Sequence, residues 1–372
     1  MNKTLCPSFK SCASCILNDP YQSQKALKIK RTKELLGRFY DGQIEYFSSK
    51  QSGFRARAEL RLWHDERGAH YAMNGADNKP VIIQSCAILD AKIAALMPRL
   101  LKELNANDAL RHKIFGVEFV TSSEEICVIL LYHKDILSIN SELENLANAL
   151  KISLIARSRG KMLVFGESLL NEKLNINGSE YAYKISFDGF IQPNRAMNEK
   201  MIEYACNAVI NAHKPRRDFL ELYCGHGNFT IPLSQHFNKT LATEISKASI
   251  ALATQNAGLN KASNISFLRM SADELMDAFK GTREYNRLKN IELKSYDFSH
   301  ILIDPPRAGA SASVLDFIKN YANIIYVSCS QETLARDLLI LSKTHRVDKL
   351  ALFDQFVHTN HIESIVILSA KI

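Results

Sequence analysis

Apolar and polar residues change rhythm twice along this chain. Over residues 22–40, Leu27, Leu35, Leu36 and Phe39 recur at helical spacing, with Lys28, Lys30, Arg31 and Lys33 between them. That predicts a basic amphipathic helix, which Gly42 and the polar run 48–53 bring to an end. From Phe54 the period becomes two: Arg55, Arg57, Glu59 and Arg61 alternate with Ala56, Ala58, Leu60 and Leu62. This is the pattern of a half-buried strand with a mainly cationic face. Further strand-like runs fall at 81–84, 115–120, 126–132, 152–156, 162–166 and 181–187, interrupted by helices at 90–104 and 141–150. The region reads as a β-rich α+β domain.

After Pro193 the pattern alternates. A helix at 195–211 leads into strands at 218–223, 240–244, 265–269, 300–304, 323–328 and 363–369. Helices near 229–236, 246–258, 271–280, 311–320 and 331–343 separate them. Buried strands alternating with helices imply an α/β fold with a doubly wound parallel sheet, closed by an antiparallel edge. Three units follow: a basic N-terminal arm with a cysteine cluster (1–48), a β-rich α+β domain (49–190) and the doubly wound domain (191–372).

At 372 residues, 46% apolar and 23% charged, the chain has ample capacity to bury cores. No apolar run is long enough to span a bilayer and no apolar secretory segment opens the chain, so cytoplasmic residence without a membrane is expected. The net charge of +8 is concentrated: residues 1–60 hold eleven Lys/Arg against five Asp/Glu. This suggests a polyanion contact near the N-terminus, with a solvated basic helix as the plainer alternative. Eight unevenly spaced cysteines in a large chain without an export signal favour metal or catalytic use over a disulfide framework.

The candidate chemistry lies at strand ends, where open α/β sheets bind ligands. The strand Phe219–Tyr223 runs into Cys224-Gly225-His226-Gly227-Asn228, whose glycines let backbone approach a ligand, and the next strand ends at Glu244. An acid there can accept hydrogen bonds from ribose hydroxyls. Phe229-Thr230-Ile231 lacks the third glycine of a dinucleotide site, and Glu221 with the short G-x-G fits S-adenosyl-L-methionine better than NAD. Two later strands end in Asp304-Pro305-Pro306-Arg307 and in Ser328-Cys329, and Asn360-His361-Ile362-Glu363 precedes the last strand. A thiol and a carboxylate at neighbouring strand ends would suit covalent catalysis on an electrophilic ring. A lone cysteine ending a strand also reads as a small packed hydrophobe.

These segments together resemble the RNA uracil-5-methyltransferases: Glu221–Phe229, Asp304–Arg307, Ser328-Cys329, His361–Glu363 and Gly189-Phe190-Ile191-Gln192-Pro193-Asn194. Arg57-Ala58-Glu59-x-Arg61-x-Trp63-His64-Asp65, Arg111-His112-Lys113-x-Phe115, Asn286-Arg287-Leu288 and Leu352–Phe356 resemble the tRNA-directed branch, and the likeness runs from about residue 54 to the end. The resemblance implies a C-terminal Rossmann-like methyltransferase domain after an RNA-recognition domain. It implies methylation of uracil C5 with S-adenosyl-L-methionine, at uracil 54 of the tRNA T-loop. Cys329 would be the nucleophile and Glu363 the proton acceptor, with Gln192, Tyr223, Asn228, Glu244 and Asp304 at the cofactor. Phe190 would stack on the extruded base, with Arg61 and Phe115 as RNA contacts. The implied partner is tRNA, with tmRNA or rRNA as further RNAs, and no obligate protein partner.

The N-terminus departs from that branch. Cys6, Cys12 and Cys15, with Cys86 in Gln84–Leu89, resemble the four-cysteine iron–sulfur set of the ribosomal-RNA relatives, without a segment ahead of them for those relatives' β-barrel domain. A 4Fe–4S cluster is the expectation, with structural zinc as the other use of four thiolates. This keeps 23S rRNA uracil methylation open. Two further alternatives are methylation of an exocyclic amine, suggested by Asp304-Pro305-Pro306, and a non-catalytic RNA-binding iron–sulfur protein.

Overall fold

The computed structural model describes residues 6–9, 11–212 and 214–371. Residues 1–5 of the arm lie outside the described residues. The chain begins with helix α1 (Tyr21–Leu36) and the short strand β1 (Glu45–Phe47). The helix forms where expected, with Leu36 buried and Leu35 and Phe39 packed against the core, but its inward face also takes in polar positions. Its buried stripe is Gln24, Lys28, Thr32 and Leu36, whereas Leu27 is exposed. The polar face goes inside because it finds partners there: Lys28 Nζ donates to Asp354 Oδ1 at 2.6 Å, and Thr32 Oγ1 accepts from Gln331 Nε2 at 2.6 Å. Paired polar groups escape the desolvation cost that unpaired ones carry.

A seven-stranded sheet follows: β2 (Arg57–Asp65), β3 (Gly68–Asn74), β4 (Pro80–Ile82), β5 (Ile114–Thr121), β6 (Ile126–Tyr132), β7 (Ser153–Ser158) and β8 (Lys161–Phe165). They are ordered β4-β3-β2-β5-β6-β7-β8, and helices α2 (Ala91–Ala106), α3 (Asp108–Arg111) and α4 (Asn140–Leu150) pack with them. The period of two in β2 is real: Ala58, Leu60 and Leu62 join the core, and Glu59 and Arg61 are exposed. Arg57 is engaged, donating to the Gly189 carbonyl at 2.9 Å and to Glu118 at 3.2 Å.

The hairpin β9 (Leu169–Ile176) and β10 (Ser179–Ser186) forms a separate two-stranded sheet. It packs on α5 (Arg195–Asn211) and, after strands β11 (Asp218–Leu222) and β12 (Thr240–Glu244) with helix α6 (Thr230–Ser234) between them, on α7 (Lys247–Leu259). Asn256 of α7 and Asn260, its C-cap, accept the Lys184 and Ala182 backbone N–H groups of β10, at 2.7 and 2.9 Å, which satisfies the hairpin edge.

The remaining strands are β13 (Ile265–Arg269), β14 (Phe298–Ile303), β15 (Asn323–Ser328), β16 (His345–Phe353) and β17 (Glu363–Ala370), with helices α8 (Ala272–Lys280), α9 (Ala312–Ile318) and α10 (Gln331–Leu341). The large sheet has the order β1-β16-β17-β15-β14-β11-β12-β13. Its neighbours are parallel except at β17, which runs against both β15 and β16. The antiparallel strand is therefore interior, because β16 and β1 extend the sheet beyond it. Strand β16 was not expected: it opens with His345-Arg346-Val347-Asp348-Lys349, too polar to read as a buried strand. β14 and β15 are buried along their whole length, as parallel strands covered on both faces must be. Among the described residues no helix is long and apolar enough to cross a membrane.

Candidate active site

The strand register assembles the site. Leu222 of β11 pairs with Ile303 of β14, and Ile303 pairs with Tyr326 of β15, so these strands end side by side. Tyr223 and Asp304 are the next residues. Ser328 pairs with Ser364 of β17, the last rung of that antiparallel ladder, and the chain bends at Cys329 just past it, where the Glu363 charge bears on the thiol. A thiol and a carboxylate far apart in sequence thereby meet at the mouth of the crevice.

Burial dominates the electrostatics here. Glu363 is fully buried and its carboxyl is pushed up to about 8, by desolvation first and by the Asp304 charge second. Desolvation raises Asp304 to about 7. Glu221, buried on β11 with its Oε2 unpartnered, rises to about 8 for the same reason, with a smaller push from Asp304. The Cys329 thiol is driven up to about 11 by burial, then by Glu363 and Asp304, against a weaker pull from Arg307. At neutral pH the thiol is protonated, Asp304 sits near its midpoint and Glu363 is mostly protonated.

Next to this pair is a cleft of about 350 Å³, bordered by Phe190, Gln192, Glu221, Tyr223, Asn228 and Asp304. The chain leaves β11 through a strained turn: Tyr223 takes a φ of 65°, in the left-handed region, and Gly227 one of 88°. A Cβ on Gly227 would meet Ile231 Cδ1 at 3.1 Å. Glu244 braces this turn, accepting the Gly225 N–H at 3.3 Å and the Ser246 N–H at 2.8 Å. Asn228 exchanges amide hydrogen bonds with Asn198 of α5 at 2.8 and 2.9 Å. Gln192 Oε1 accepts from Gln355 Nε2 at 3.0 Å. Gln355 was missed as a site residue, although its segment had been singled out as a motif. His226 also borders the cleft, and burial lowers its pKa to about 4, so it is neutral at physiological pH.

The other expected residues lie further out. Phe190 is 75% exposed and borders both this cleft and a neighbouring cavity of about 670 Å³. Cys6, Cys12, Cys15, Cys86 and His361 also line that larger cavity. The Cys15 thiol is pushed up to about 11 by burial, then by Cys86, Cys12 and Cys6, so the four thiols are neighbours. Among the described residues, however, no three His, Cys, Asp or Glu side chains are grouped closely enough to hold a metal ion. Arg61 and Phe115 stand apart, on the seven-stranded sheet, where Arg61 pairs with Gly116. Phe115 stacks on His133 at 4.0 Å, in an open hollow of about 810 Å³ that also includes Arg111, His112 and Lys113.

A doubly wound sheet, with a glycine turn after its first strand and buried acids at successive strand ends, defines a Rossmann-like methyltransferase. The model of the tRNA (Uracil-5-)-methyltransferase family matches residues 20–371. The chain is 49% identical over 366 residues to the tRNA/tmRNA (uracil-C(5))-methyltransferase of Campylobacter curvus, covering 98% of this chain and 100% of that one. It is 46% identical over 373 residues to the protein of the same name from Sulfurovum sp., covering 99% and 100%. In shape it is similar to the Pyrococcus abyssi tRNA (uracil-54, C5)-methyltransferase in complex with S-adenosyl-L-homocysteine, with a TM-score of 0.73 at 21% identity, over 94% of this chain and 84% of that one. The chain belongs to the tRNA (uracil-5-)-methyltransferase family and is an enzyme of that class.

Proposed function

We propose that this enzyme transfers the methyl group of S-adenosyl-L-methionine to uracil C5 in tRNA, at position 54 of the T-loop, and in tmRNA. The observation that carries the reading is the meeting of Cys329 and Glu363 just past the last rung between β15 and β17, with Asp304 of the adjoining cleft beside them. Uracil C5 is a weak nucleophile and needs activation. Cys329 Sγ gives up its proton to solvent and, as the thiolate, adds to C6 and places enolate-like density on C5. C5 attacks the sulfonium methyl, and the cofactor departs as a neutral thioether. Glu363 then takes the C5 proton, the C6–S bond breaks, and the thiolate is released. An exocyclic amine would need no such thiol.

The cofactor supplies an electrophilic methyl on a sulfonium. Gln192, Tyr223, Asn228 and Asp304 border the space for it, and Glu244 holds the turn that shapes that space. Phe190, exposed at the junction of both cavities, is placed to stack on an extruded base. Arg61 and Phe115 contact the RNA at a distance from the reacting ring. Four soft thiols suit a 4Fe–4S cluster in chemistry, and holding one requires Cys6, Cys12, Cys15 and Cys86 to draw closer together. Iron and sulfide assays on anaerobically purified protein, with Cys86→Ser as control, test that assignment.

The mechanism is tested with tRNA carrying 5-fluorouracil at position 54. Fluorine cannot leave as a proton, so a denaturation-resistant adduct at Cys329 is expected, and Cys329→Ala should cut turnover by more than about a thousandfold. An active enzyme that forms no adduct refutes the covalent route. Mapping 5-methyluridine with and without the protein tests the target: loss from rRNA rather than tRNA would reassign it.

A further inference from the structure

The buried polar stripe of α1 takes no part in the mechanism above, yet it touches the loops on either side of the reacting groups. Towards one end, Thr32 Oγ1 accepts from Gln331 Nε2 at 2.6 Å, and Arg31 is ion-paired with Glu332. Gln331 and Glu332 open α10, directly after Cys329 and Ser330. Towards the other end, Lys28 Nζ donates to Asp354 Oδ1 at 2.6 Å and to the Phe356 carbonyl at 3.1 Å. Gln24 Oε1 accepts the His358 N–H at 3.0 Å. Residues 354–362 form the loop between β16 and Glu363. We propose that α1 is a splint that fixes the separation of Cys329 and Glu363, with Lys28 as its principal positioning residue.

The geometry of the loop supports this. Alternate residues, Asp354, Phe356 and His358, are held by α1, while Gln355 between them donates to Gln192 at the cofactor cleft. Asp354 is fully buried and saturated: its Oδ2 accepts from Tyr21 and Tyr46 hydroxyls at 2.8 and 2.9 Å, and its N–H donates to the Phe47 carbonyl at 3.1 Å. His358 takes a φ of 68°, in the left-handed region that residues other than glycine adopt uncommonly. A buried ion pair adds little net stability over apolar packing, so this one is better understood through the geometry it imposes. Errors of about 1 Å in the placement of a reacting group cost about a hundredfold in rate.

The inference rests on the covalent mechanism proposed above, and its test separates the two. If the splint sets the reach of Glu363, loosening it slows proton removal after methyl transfer. The methylated RNA–enzyme adduct should then accumulate during turnover on unmodified tRNA. Lys28→Met/Asp354→Asn removes both charges, so neither is left buried and unpaired. The expected result is a kcat lower by about ten- to a hundredfold, KM for tRNA nearly unchanged, and adduct visible on denaturing gels. Glu363→Gln serves as the positive control. Failure of that control to trap adduct refutes the covalent reading and the splint together. Adduct in the control but none in the double variant, despite its lower kcat, assigns α1 a merely structural role and overturns the splint alone. Should the double variant not bind cofactor, Thr32→Val decides, because it removes only the hydroxyl that Gln331 meets: adduct accumulation supports the splint and its absence overturns it.

Discussion

Raising the pH from 6 to 9 should separate the thiol step from the proton-removal step. Desolvation and the Asp304 charge push Glu363 up to about 8, and only its ionised form can accept the C5 proton. About a tenth of it is ionised at pH 7, about half at pH 8 and about nine-tenths at pH 9, so proton removal gains about tenfold between pH 7 and 9. Cys329, driven up to about 11, gains thiolate throughout that range. Adduct formation on 5-fluorouracil RNA needs the thiol but not the base, whereas turnover on uracil RNA needs both. With proton removal limiting, turnover should therefore rise about tenfold from pH 7 to 9, with a midpoint near 8, while the adduct rate follows the thiolate and rises about a hundredfold, so the ratio of turnover to adduct rate should fall about tenfold. The same shift has a stability consequence. A carboxyl with a raised folded pKa contributes stability that is fully present below the unfolded carboxylate range and is lost as the pH climbs towards 8. Glu363→Gln should thus raise the melting temperature at pH 8, with a gain of at most about 4 kcal/mol, and much less at pH 5. A ratio that stays flat with pH, or a glutamine variant less stable than wild type at pH 8, would refute the assignment of a buried, pKa-shifted base.

Two further substitutions probe the surroundings. Phe190→Ala removes an exposed ring that packs into no core, so KM for tRNA should rise while the melting temperature stays put; stability loss without a KM effect would speak against stacking. Gly309, at a φ of 82°, closes the turn that begins at Pro306, two residues after Asp304, and a Cβ there would run into Arg336 and lie 2.8 Å from Asp337 Oδ2. Asp337 holds the Ala310 N–H at 3.0 Å and the Tyr326 hydroxyl at 2.5 Å. Gly309→Ala should cost about 1–2 kcal/mol of stability from backbone strain alone and weaken cofactor binding, read by thermal denaturation and calorimetry; an unchanged melting temperature would contradict the strain.

The alternation of buried strands with helices after Pro193 was legible because each parallel strand is covered on both faces. Runs such as Ile301-Leu302-Ile303 and Ile324-Ile325-Tyr326-Val327 therefore carry no polar interruption. The candidate residues at those strand ends could be located for the same reason, since a strand that can be located also locates the residue after it. Strands β1 and β16 were not. β1 is three residues long, and β16 begins with charged residues at the open end of the sheet, so neither presents a period to count.

The inward face of α1 shows where periodicity misplaces individual residues: Leu35, Leu36 and Phe39 meet the core as counted, and Leu27 and Lys28 exchange places. Counting apolar residues ranks Leu27 as a core position and Lys28 as solvent, because a lone lysine costs far more to bury than a leucine. That ranking reverses when the chain supplies a partner. Asp354, with Tyr21 and Tyr46 closing its second oxygen, makes burial of Lys28 tolerable, and Leu27 is left on the surface. The partner is 326 residues away in sequence, beyond the range of any local pattern. The sign of such a pair is a polar residue inside an otherwise apolar strand-to-loop run, and Leu352-Phe353-Asp354-Gln355-Phe356 has two. One meets Lys28 and the other meets Gln192, so the polar residues that interrupt the pattern are the ones that tie the base-carrying loop to both its splint and its cleft.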